Sequence, residues 1–224
     1  MSDQLPFFFE DFGEAETGLI IGPENELAIK WLRNWPDWPT PSRFLNIFGP
    51  ASCGKSRLGR IHSERTGAQI LTSLINWEPQ EISGSHFILD DISLFKDWSE
   101  EALFFLYQAV TSNSGTILFL SEEPLSNMAW KLDDLRSRFR SVNAQEIQPL
   151  SEISLRPLLE HHFTQRQCIV SQKVLNFLLP RVRREYFYIE KLVFEIDTRS
   201  LNNKQPVSLS LVKQVLSEMS GDKF

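Results

Sequence analysis

The chain has 224 residues, enough for one large domain or for a domain with a small companion. Hydrophobic residues make up 42% of the chain, so a packed core is expected, and no apolar run approaches the ~20 residues that span a bilayer. A formal net charge of −6 argues against a large nucleic-acid surface, which would need clustered Lys and Arg. The two cysteines, Cys53 and Cys168, suit a reducing cytosol better than a disulfide framework. The histidines lack the spacing of metal ligands, and the first residues do not have the pattern of a signal peptide.

The first residues contain an unusual apolar segment, Gln4-Leu5-Pro6-Phe7-Phe8-Phe9. A free terminus is normally polar and mobile, so aromatic side chains here suggest docking onto another molecule. A short extended peptide of this kind would suit a groove. The alternative is that the segment folds back onto the core of its own chain, and the residues alone leave both interpretations open.

The next elements lead towards a central sheet. Residues 18–25 carry a strand-and-turn pattern, and residues 26–34 have the apolar spacing of an amphipathic helix. Residues 35–41 form a loop punctuated by proline, whose two tryptophans are expected to be packing anchors rather than a base-stacking platform. An apolar strand is then predicted at residues 44–48.

The segment at residues 49–56 reads Gly-Pro-Ala-Ser-Cys-Gly-Lys-Ser and matches the phosphate-binding pattern G-x-x-x-x-G-K-S. Glycines let successive backbone N–H groups point inward at phosphates, and a helix at residues 57–65 adds its positive N-terminal end. Lys55 can reach the terminal phosphates and Ser56 can ligate Mg²⁺. A simple turn between strand and helix is the alternative. The predicted nucleotide contacts of this segment are Gly49, Pro50, Ala51, Ser52, Cys53, Gly54, Lys55 and Ser56.

Residues 68–71 and 86–89 are short apolar runs that are typical of buried parallel strands. The second run ends in Asp90-Asp91. Such a pair is common at helix caps, but opposite a phosphate loop it predicts a Mg²⁺–nucleotide site. The first carboxylate would orient the metal ion, and the second would polarise an attacking water.

A helix at residues 100–112 and a buried strand at 115–120 continue the alternation, and polar residues 121–124 follow that strand. Alternating strands and helices predict a parallel sheet covered on both faces, with ligands at the carboxyl ends of the strands. Residues 133–140 carry arginines that could form surface ion pairs or present a guanidinium to a phosphate in trans. A fifth strand is expected at 143–148.

From residue 149 onward the pattern contains helices only, at about 151–165, 171–179, 182–200 and 208–219. This change predicts a helical subdomain. Arg181, Arg183 and Arg184 could reach a nucleotide bound between the two parts of the chain, or they could form a solvated basic face.

Together these motifs resemble the AAA+ module and, more closely, the DnaA/Hda family, in particular its HdaA-like branch of bacterial replication regulators. The resemblance covers nearly the whole chain. Residues 21–25 resemble the family's adenine-side box, and residues 35–39 resemble its connecting loop. The nucleotide and arginine-finger motifs are matched by residues 48–58, 87–92 and 132–139. Segments of the lid are matched by residues 149–151, 190–193, 200–201 and 212–216.

The resemblance implies an α/β fold with an AAA+ P-loop NTPase core, in which a five-stranded parallel sheet is flanked by helices. This core would occupy residues 13–149, between a sliding-clamp-binding tail at 1–12 and an all-α lid at 150–224. Lys55, Ser56 and Asp90 would hold Mg²⁺ with ADP or ATP, and Asp91 would stand at the catalytic-carboxylate position. The other implied nucleotide contacts are Asn25, Arg57, Glu122 at the first sensor, and Arg184.

The resemblance also implies two partner-binding features. Arg138 matches the arginine finger, which acts on a nucleotide bound to a neighbouring subunit. Gln4, Leu5, Phe7 and Phe8 match the clamp-binding peptide, with Phe7 in place of the more usual leucine. The second sensor is usually an arginine, where this chain has Phe187, and Arg184 one turn earlier would substitute for it. The chain ends after the lid, so the helix-turn-helix domain of DnaA and direct sequence-specific DNA binding are not expected.

The sequence therefore predicts an Hda-like regulator with weak or no ATPase activity of its own. It would bind the DNA polymerase III sliding clamp (the beta subunit) and promote hydrolysis of ATP bound to DnaA, which would negatively regulate replication initiation. It would be cytoplasmic and could form a homo-oligomer. One alternative is an autonomous AAA+ ATPase acting as a DnaA-like or loader-type replication factor. Another is a nucleic-acid-binding accessory, which the negative charge supports poorly.

Overall fold

The computed structural model describes residues 20–39, 43–71, 86–90 and 99–220. The described residues group into two compact units. Residues 25–148 form the α/β unit, and residues 20–24 together with 149–220 form the helical unit. The sequence analysis placed residues 20–24 in the α/β domain, whereas here they group with the helices because Ile20 packs into the helical core.

The α/β unit is built on a sheet of five parallel strands in the order β2-β3-β4-β1-β5. This confirms the predicted parallel sheet. The strands are β1 (Phe44–Phe48), β2 (Gln69–Leu71), β3 (His86–Asp90), β4 (Thr116–Ser121) and β5 (Asn143–Glu146). The central strands are almost continuously apolar, as expected for strands buried on both faces. Phe48 pairs with Ser121, and Asp90 pairs with Leu120, so the carboxyl ends of β1, β4 and β3 lie at one edge.

Helices cover both faces of this sheet. They are α1 (Glu26–Arg33), α2 (Lys55–Thr66), α3 (Glu100–Ser112) and α4 (Asp133–Phe139). Helix α2 approaches closely at Gly59, where an added Cβ would lie only 2.8 Å from Leu120 Cδ1. The neighbouring side chains of β4, Ile117 and Phe119, point to the other face and pack in one core with residues of α3 and α4. Helix α4 was not predicted, since the sequence analysis assigned no helix to residues 133–140.

The helical unit contains α5 (Glu152–Gln165), α6 (Gln172–Leu178), α7 (Tyr186–Asn202) and α8 (Leu209–Ser220) around a second apolar core. Ser151 caps α5, because its side chain accepts a hydrogen bond from the Ser154 N–H. Helix α7 begins four residues later than predicted, because the N–H groups of Arg181 and Val182 turn back to the Leu178 carbonyl at the end of α6. Among the described helices, none combines the length and apolar character required to cross a membrane.

The two tryptophans after α1 are packing residues, as predicted. Trp38 is 2% exposed, stacks on His62, and donates its Nε1–H to the Trp31 carbonyl over 2.8 Å. Trp35 donates to Thr116 Oγ1 over 2.9 Å and lies edge-on to His86. The rings therefore fix the loop after α1 against α2 and the sheet.

The buried imidazole of His62 makes folding pH-dependent. Burial, reinforced by the charges of Arg65 and His86, lowers the pKa of His62 to about 3. An unfolded chain binds this proton at about pH 6.5, so the folded state loses stability as pH falls from 6.5 towards 3. We expect the free energy of unfolding to drop by about 1 kcal/mol per pH unit below 6.5. Denaturant titrations at pH 7.5, 6.5 and 5.5 measure this slope.

His62→Gln is the matched control for this prediction, because glutamine does not titrate. The variant should be less stable at pH 7.5 but should show a flatter slope between pH 6.5 and 5.5. The pKa of His86 is also lowered by burial, so part of the slope should remain. An identical slope in wild type and variant would contradict the assignment.

Candidate nucleotide site

The loop between β1 and α2 needs glycine at two positions. Gly49 passes close to the end of β5, where an added Cβ would lie 2.4 Å from the Ile147 carbonyl oxygen. Gly54 directly precedes α2 with φ of +100°, a conformation that favours glycine. The Gly49 N–H also donates to the Ser121 carbonyl over 3.2 Å. The loop is thus anchored to the strands on both sides of β1.

Lys55 is the first residue of α2, and its ammonium lies inside the loop. Its Nζ donates to the carbonyl oxygens of Gly49 and Pro50 over 2.8 and 2.9 Å, and the residue is 8% exposed. Burial raises the pKa of Cys53, whose Sγ lies 3.9 Å from the same ammonium, so this thiol stays protonated at neutral pH. A largely buried cation whose partners among the described residues are all neutral fits the binding of an anion.

Ser56 and Asp90 come together although they are 34 positions apart in the sequence. The Ser56 hydroxyl donates to Asp90 Oδ1 over 3.0 Å, which joins the first turn of α2 to the end of β3. Mg²⁺ prefers oxygen ligands and usually takes one or two protein groups, completing its shell with phosphate oxygens and water. The described residues contain no group of three or more His, Cys, Asp and Glu that could hold a metal ion. These two oxygens fit the Mg²⁺ of a bound nucleotide.

A buried asparagine, which the sequence analysis missed, positions the segment after β4. Asn46 lies in the middle of β1 and is 1% exposed. Its amide donates to Ser121 Oγ over 2.8 Å, and its carbonyl oxygen accepts from the Leu125 N–H over 3.0 Å. Glu122 lies in this segment and is exposed. The signal in the sequence was a single polar residue within the apolar run Phe-Leu-Asn-Ile-Phe.

Arg138, the predicted arginine finger, lies near the end of α4 and is half-buried. Its guanidinium stacks over the rings of Phe104 and Tyr107, with 4.9 and 5.2 Å to the ring centroids. Its neighbour Arg136 instead forms an exposed ion pair with Asp133. Within the described part of the chain, Arg138 has no carboxylate at salt-bridge distance. The two arginines of α4 therefore differ: Arg136 forms an ion pair, whereas Arg138 stacks on aromatic rings.

The remaining predicted residues of the α/β unit lie around the loop and at α1. Pro50, Ala51 and Ser52 are exposed, and Arg57 is half-buried in the first turn of α2. Asn25 caps the start of α1, where its carbonyl accepts from the Ile29 N–H over 3.0 Å. Five predicted residues lie outside the described part of the chain, namely Asp91, Gln4, Leu5, Phe7 and Phe8.

In the helical unit, Arg184 is exposed and lies 3.5 Å from the Glu152 carboxylate. An ion pair so open to solvent contributes little stability. Phe187, at the expected position of the second sensor, is 67% exposed. The structure thus brings together the loop, Lys55, Ser56 and Asp90 within one unit, and it places Arg184 in the other.

Glu24 belongs to the segment at residues 21–25 that resembles the adenine-side box, although the sequence analysis named only Asn25 of that segment as a nucleotide contact. It is 4% exposed, and neither carboxylate oxygen has a hydrogen-bond partner among the described residues. Those oxygens lie 2.7 and 2.8 Å from the position of a Cβ at Gly22, so a side chain at that position would displace the Glu24 carboxylate. A buried carboxylate without a donor is costly, which makes Glu24 a candidate to accept a hydrogen bond from a ligand.

The sequence is similar to DnaA proteins, although no protein-family model matches it. An uncharacterized protein of Haemophilus influenzae is 27% identical, over 97% of this chain and 100% of that protein. The chromosomal replication initiator DnaA of Buchnera aphidicola is 23% identical, over 91% of this chain and 52% of DnaA. DnaA of Helicobacter pylori is 24% identical over 61% of this chain and 30% of DnaA. The chain thus spans about half or less of the DnaA proteins it matches.

Solved structures with a similar fold include DnaA proteins and a branch migration motor. Domain III of Thermotoga maritima DnaA superposes with a TM-score of 0.76 and 16% identity, over 95% of this chain and 98% of that domain. The structure of DnaA bound to AMPPCP and single-stranded DNA superposes with a TM-score of 0.67 and 17% identity, over 83% of this chain and 66% of the DnaA chain. The RuvB Holliday junction branch migration motor of Thermotoga maritima superposes with a TM-score of 0.67 and 15% sequence identity, over 91% of this chain and 71% of the RuvB chain.

Proposed function

Because this chain is a DnaA-like AAA+ protein, related to DnaA in sequence and in fold, we propose that it binds an adenine nucleotide with Mg²⁺ in the loop at residues 49–56. One observation carries this proposal: the Ser56 hydroxyl lies 3.0 Å from the Asp90 carboxylate, directly after the buried ammonium of Lys55. The choice of an adenine nucleotide is supported by two similar DnaA structures that hold AMPPCP.

Each side chain of the loop has a separate role in this proposal. On binding, the Lys55 ammonium would exchange the carbonyl oxygens of Gly49 and Pro50 for phosphate oxygens. Ser56 and Asp90 would hold Mg²⁺ on the same phosphates, directly or through water. The other proposed contacts, with Asp91 as the catalytic carboxylate, are Asn25, Arg57, Glu122 and Arg184.

We further propose that the chain acts on DnaA and promotes hydrolysis of the ATP that DnaA carries. The guanidinium of Arg138 is partly exposed on the α/β unit and stacks on Phe104. No carboxylate of the described residues lies at salt-bridge distance from it, so its charge would be available to a phosphate of a partner. An arginine supplied in trans stabilises the charge that develops as the phosphoryl group is transferred. The tail with Gln4, Leu5, Phe7 and Phe8 would bind the sliding clamp, and hydrolysis on DnaA would limit initiation.

An autonomous ATPase is the second candidate. It is favoured by the completeness of the loop and by the fold shared with the RuvB branch migration motor. Such a protein would hydrolyse its own ATP in cycles, using the same Lys55, Ser56 and Asp90. The two candidates differ in the nucleotide that is consumed.

Purified components separate these candidates. We expect little ATP hydrolysis by the chain alone, and strong hydrolysis of labelled ATP preloaded on DnaA when the chain and DNA-loaded clamp are both present. Strong turnover by the chain without partners would favour the autonomous ATPase.

Chromatography of the nucleotide released from natively purified protein tests binding itself, since adenine nucleotide should be recovered in stoichiometric amounts. Protein purified without nucleotide that also fails to bind ATP and ADP would contradict the first proposal.

The clamp-binding role of the tail can be tested without DnaA. Leu5→Ala combined with Phe8→Ala should weaken binding to immobilised clamp by about 100-fold, because large apolar anchors carry most of the energy of such small interfaces. Asp3→Ala is the matched control and should bind as wild type. The melting temperature should stay the same in both variants. A clear drop in melting temperature for the double variant would instead indicate that the tail packs on its own core.

A further inference from the structure

The chain between β4 and α4 links the two groups to which the proposed function assigns chemistry. Residues 122–132, which we call the β4–α4 segment, contain one short 3-10 turn, Leu125–Asn127, as regular structure. The segment begins beside the phosphate loop, where the Ser121 carbonyl accepts from the Gly49 N–H, and it ends at the helix that carries Arg138. A segment with so little regular structure keeps its path only through its other contacts.

Asn46 provides the first of these contacts from the middle of β1. Its amide donates to Ser121 Oγ over 2.8 Å and to the Phe119 carbonyl over 3.3 Å. Its carbonyl oxygen accepts from the Leu125 N–H over 3.0 Å, and because an N–H can only donate, this contact fixes the orientation of the amide. An apolar residue would suit the core of the sheet equally well, so Asn46 contributes position rather than apolar burial.

The first branch of this network runs from Asn46 to the phosphate loop. Ser121 is fully buried, and its hydroxyl accepts from Asn46 and donates to the Glu123 carbonyl over 2.7 Å. The carbonyl of the same serine is the acceptor for Gly49, the first residue of the loop. Asn46 therefore fixes the residue that holds the loop and that directly precedes Glu122 at the first-sensor position.

The second branch runs from Asn46 towards α4. Leu125, which is 1% exposed, donates its N–H to Asn46, and its carbonyl accepts from the Trp130 Nε1–H over 2.7 Å. The centroid of the Trp130 ring lies 4.7 Å from that of Phe139, a buried residue of α4. Phe139 directly follows Arg138 in the chain. The β4–α4 segment is thus joined to the part of α4 that carries the guanidinium.

We propose that Asn46 is a positioning residue for both parts of the function proposed above. Through Ser121 it holds the phosphate loop for the nucleotide. Through Leu125 and Trp130 it holds Arg138 for the partner's phosphate. The inference rests on that function, in which Asn46 itself contacts neither phosphate. The observation that carries it is that one buried side chain bonds to both branches. If Asn46 only stabilised the sheet, its loss would lower stability without changing binding or catalysis.

Two variants interrupt one branch each. Ser121→Ala removes the hydroxyl that bonds to Asn46, and it should weaken ATP binding about tenfold, the effect of about one buried hydrogen bond. Its rate of stimulated hydrolysis of DnaA-bound ATP, at saturating nucleotide, should stay that of wild type. Trp130→Phe keeps a ring beside Phe139 but loses the indole N–H, so it should lower this rate about tenfold with unchanged affinity. Equilibrium binding of a fluorescent ATP analogue and single-turnover hydrolysis on DnaA give the two quantities.

Variants of Asn46 itself test whether one residue serves both branches. Asn46→Ala should show both losses. Asn46→Asp keeps an acceptor for the Leu125 N–H but loses the amide donor to Ser121, so it should lose affinity and retain the rate. This variant also keeps the test decisive if Asn46→Ala does not fold. Asn143→Ala is the matched control, because it removes a β5 amide that donates to the Phe44 carbonyl outside the network, and it should change neither quantity.

Nucleotide-free protein provides a readout that does not depend on the proposed function. In NMR experiments, hydrogen exchange of the Gly49 N–H and the Trp130 indole N–H should accelerate at least about tenfold in Asn46→Ala, and Ser121→Ala should affect Gly49 alone. A wild-type chain that binds no nucleotide would contradict the proposed function, and these exchange rates would still decide the inference. Asn46→Ala with the affinity, rate and exchange of wild type would overturn it, whatever its melting temperature. Equal losses of affinity and rate in Ser121→Ala and Trp130→Phe would overturn it as well.

Discussion

Arg138→Ala should lower the stimulated hydrolysis of DnaA-bound ATP by about 10³-fold or more, the range seen for arginines supplied in trans. The reason is electrostatic: the guanidinium would neutralise charge on the phosphoryl group only in the transition state. Nucleotide binding by the chain itself should be unchanged. Folding should lose only about 0.5–1 kcal/mol, the value of stacking on Phe104 and Tyr107 at a partly exposed site. Single-turnover hydrolysis of labelled ATP on DnaA, with clamp present, gives the rate.

Two further variants sharpen this test. Arg136→Ala removes an arginine from the same helix that is already paired with Asp133, and it should retain stimulation. Arg138→Lys keeps the charge but loses the planar fork, and it should recover only part of the rate. Equal losses in Arg136→Ala and Arg138→Ala would show that α4 acts as a general basic surface. Loss of nucleotide binding in Arg138→Ala would contradict its assignment to the partner's phosphate.

Lys55→Ala should reduce affinity for ATP by about 100-fold, since it removes charge-assisted hydrogen bonds to phosphate worth about 3 kcal/mol in total. Equilibrium binding of a fluorescent ATP analogue measures the loss. Because Lys55 also bonds to the Gly49 and Pro50 carbonyls, the empty loop should become less ordered, but the core of the α/β unit should remain folded. At an ATP concentration that just saturates the wild type, the rise in melting temperature on adding ATP should therefore be much smaller in the variant.

Lys131→Ala is the matched control, since it removes an exposed lysine outside the loop. It should bind ATP as wild type. Stimulation of DnaA by Lys55→Ala provides a separate readout. If the nucleotide in this chain only maintains a docking-competent arrangement, stimulation should recover at ATP concentrations high enough to fill the weakened site. Wild-type affinity in Lys55→Ala would exclude the loop as the nucleotide site.

The sheet could be predicted from the sequence because its three central strands, β1, β3 and β4, are short, nearly continuous apolar runs. The boundaries of β1 and α3 agree with the prediction to the residue, since β1 is followed by Gly49 and α3 follows a capping serine, Ser99. The conformation of the loop at residues 49–56 was predictable for a similar reason, because its residues are contiguous and Gly49 and Gly54 mark its two ends. The proximity of Ser56 and Asp90 also followed, because Asp90 ends β3 and Ser56 follows the loop that leaves the carboxyl end of β1, at the same edge of the sheet.

Features that depend on contacts between distant residues could not be predicted. Helix α4 has only seven residues and carries charges along most of its length, so its burial comes from Leu135 and Phe139 meeting α3 and the sheet. The hydrogen bonds of Asn46 reach residues 75 and 79 positions away. Ile20 joins the helical core through contacts with residues beyond 149. None of these pairings has a signature at fixed spacing.

The stacking of Arg138 on Phe104 and Tyr107 also sets how often its guanidinium is free to contact another group. With a stacking energy of about 1 kcal/mol, the seated orientation outnumbers the extended one by roughly five to one. In the role proposed for Arg138, a partner whose phosphate binds the guanidinium would have to select the minority orientation, so its apparent affinity would be lower by roughly sixfold than for a chain with a permanently extended arginine. Stacking on Phe104 and Tyr107 would therefore oppose the contact with the phosphate.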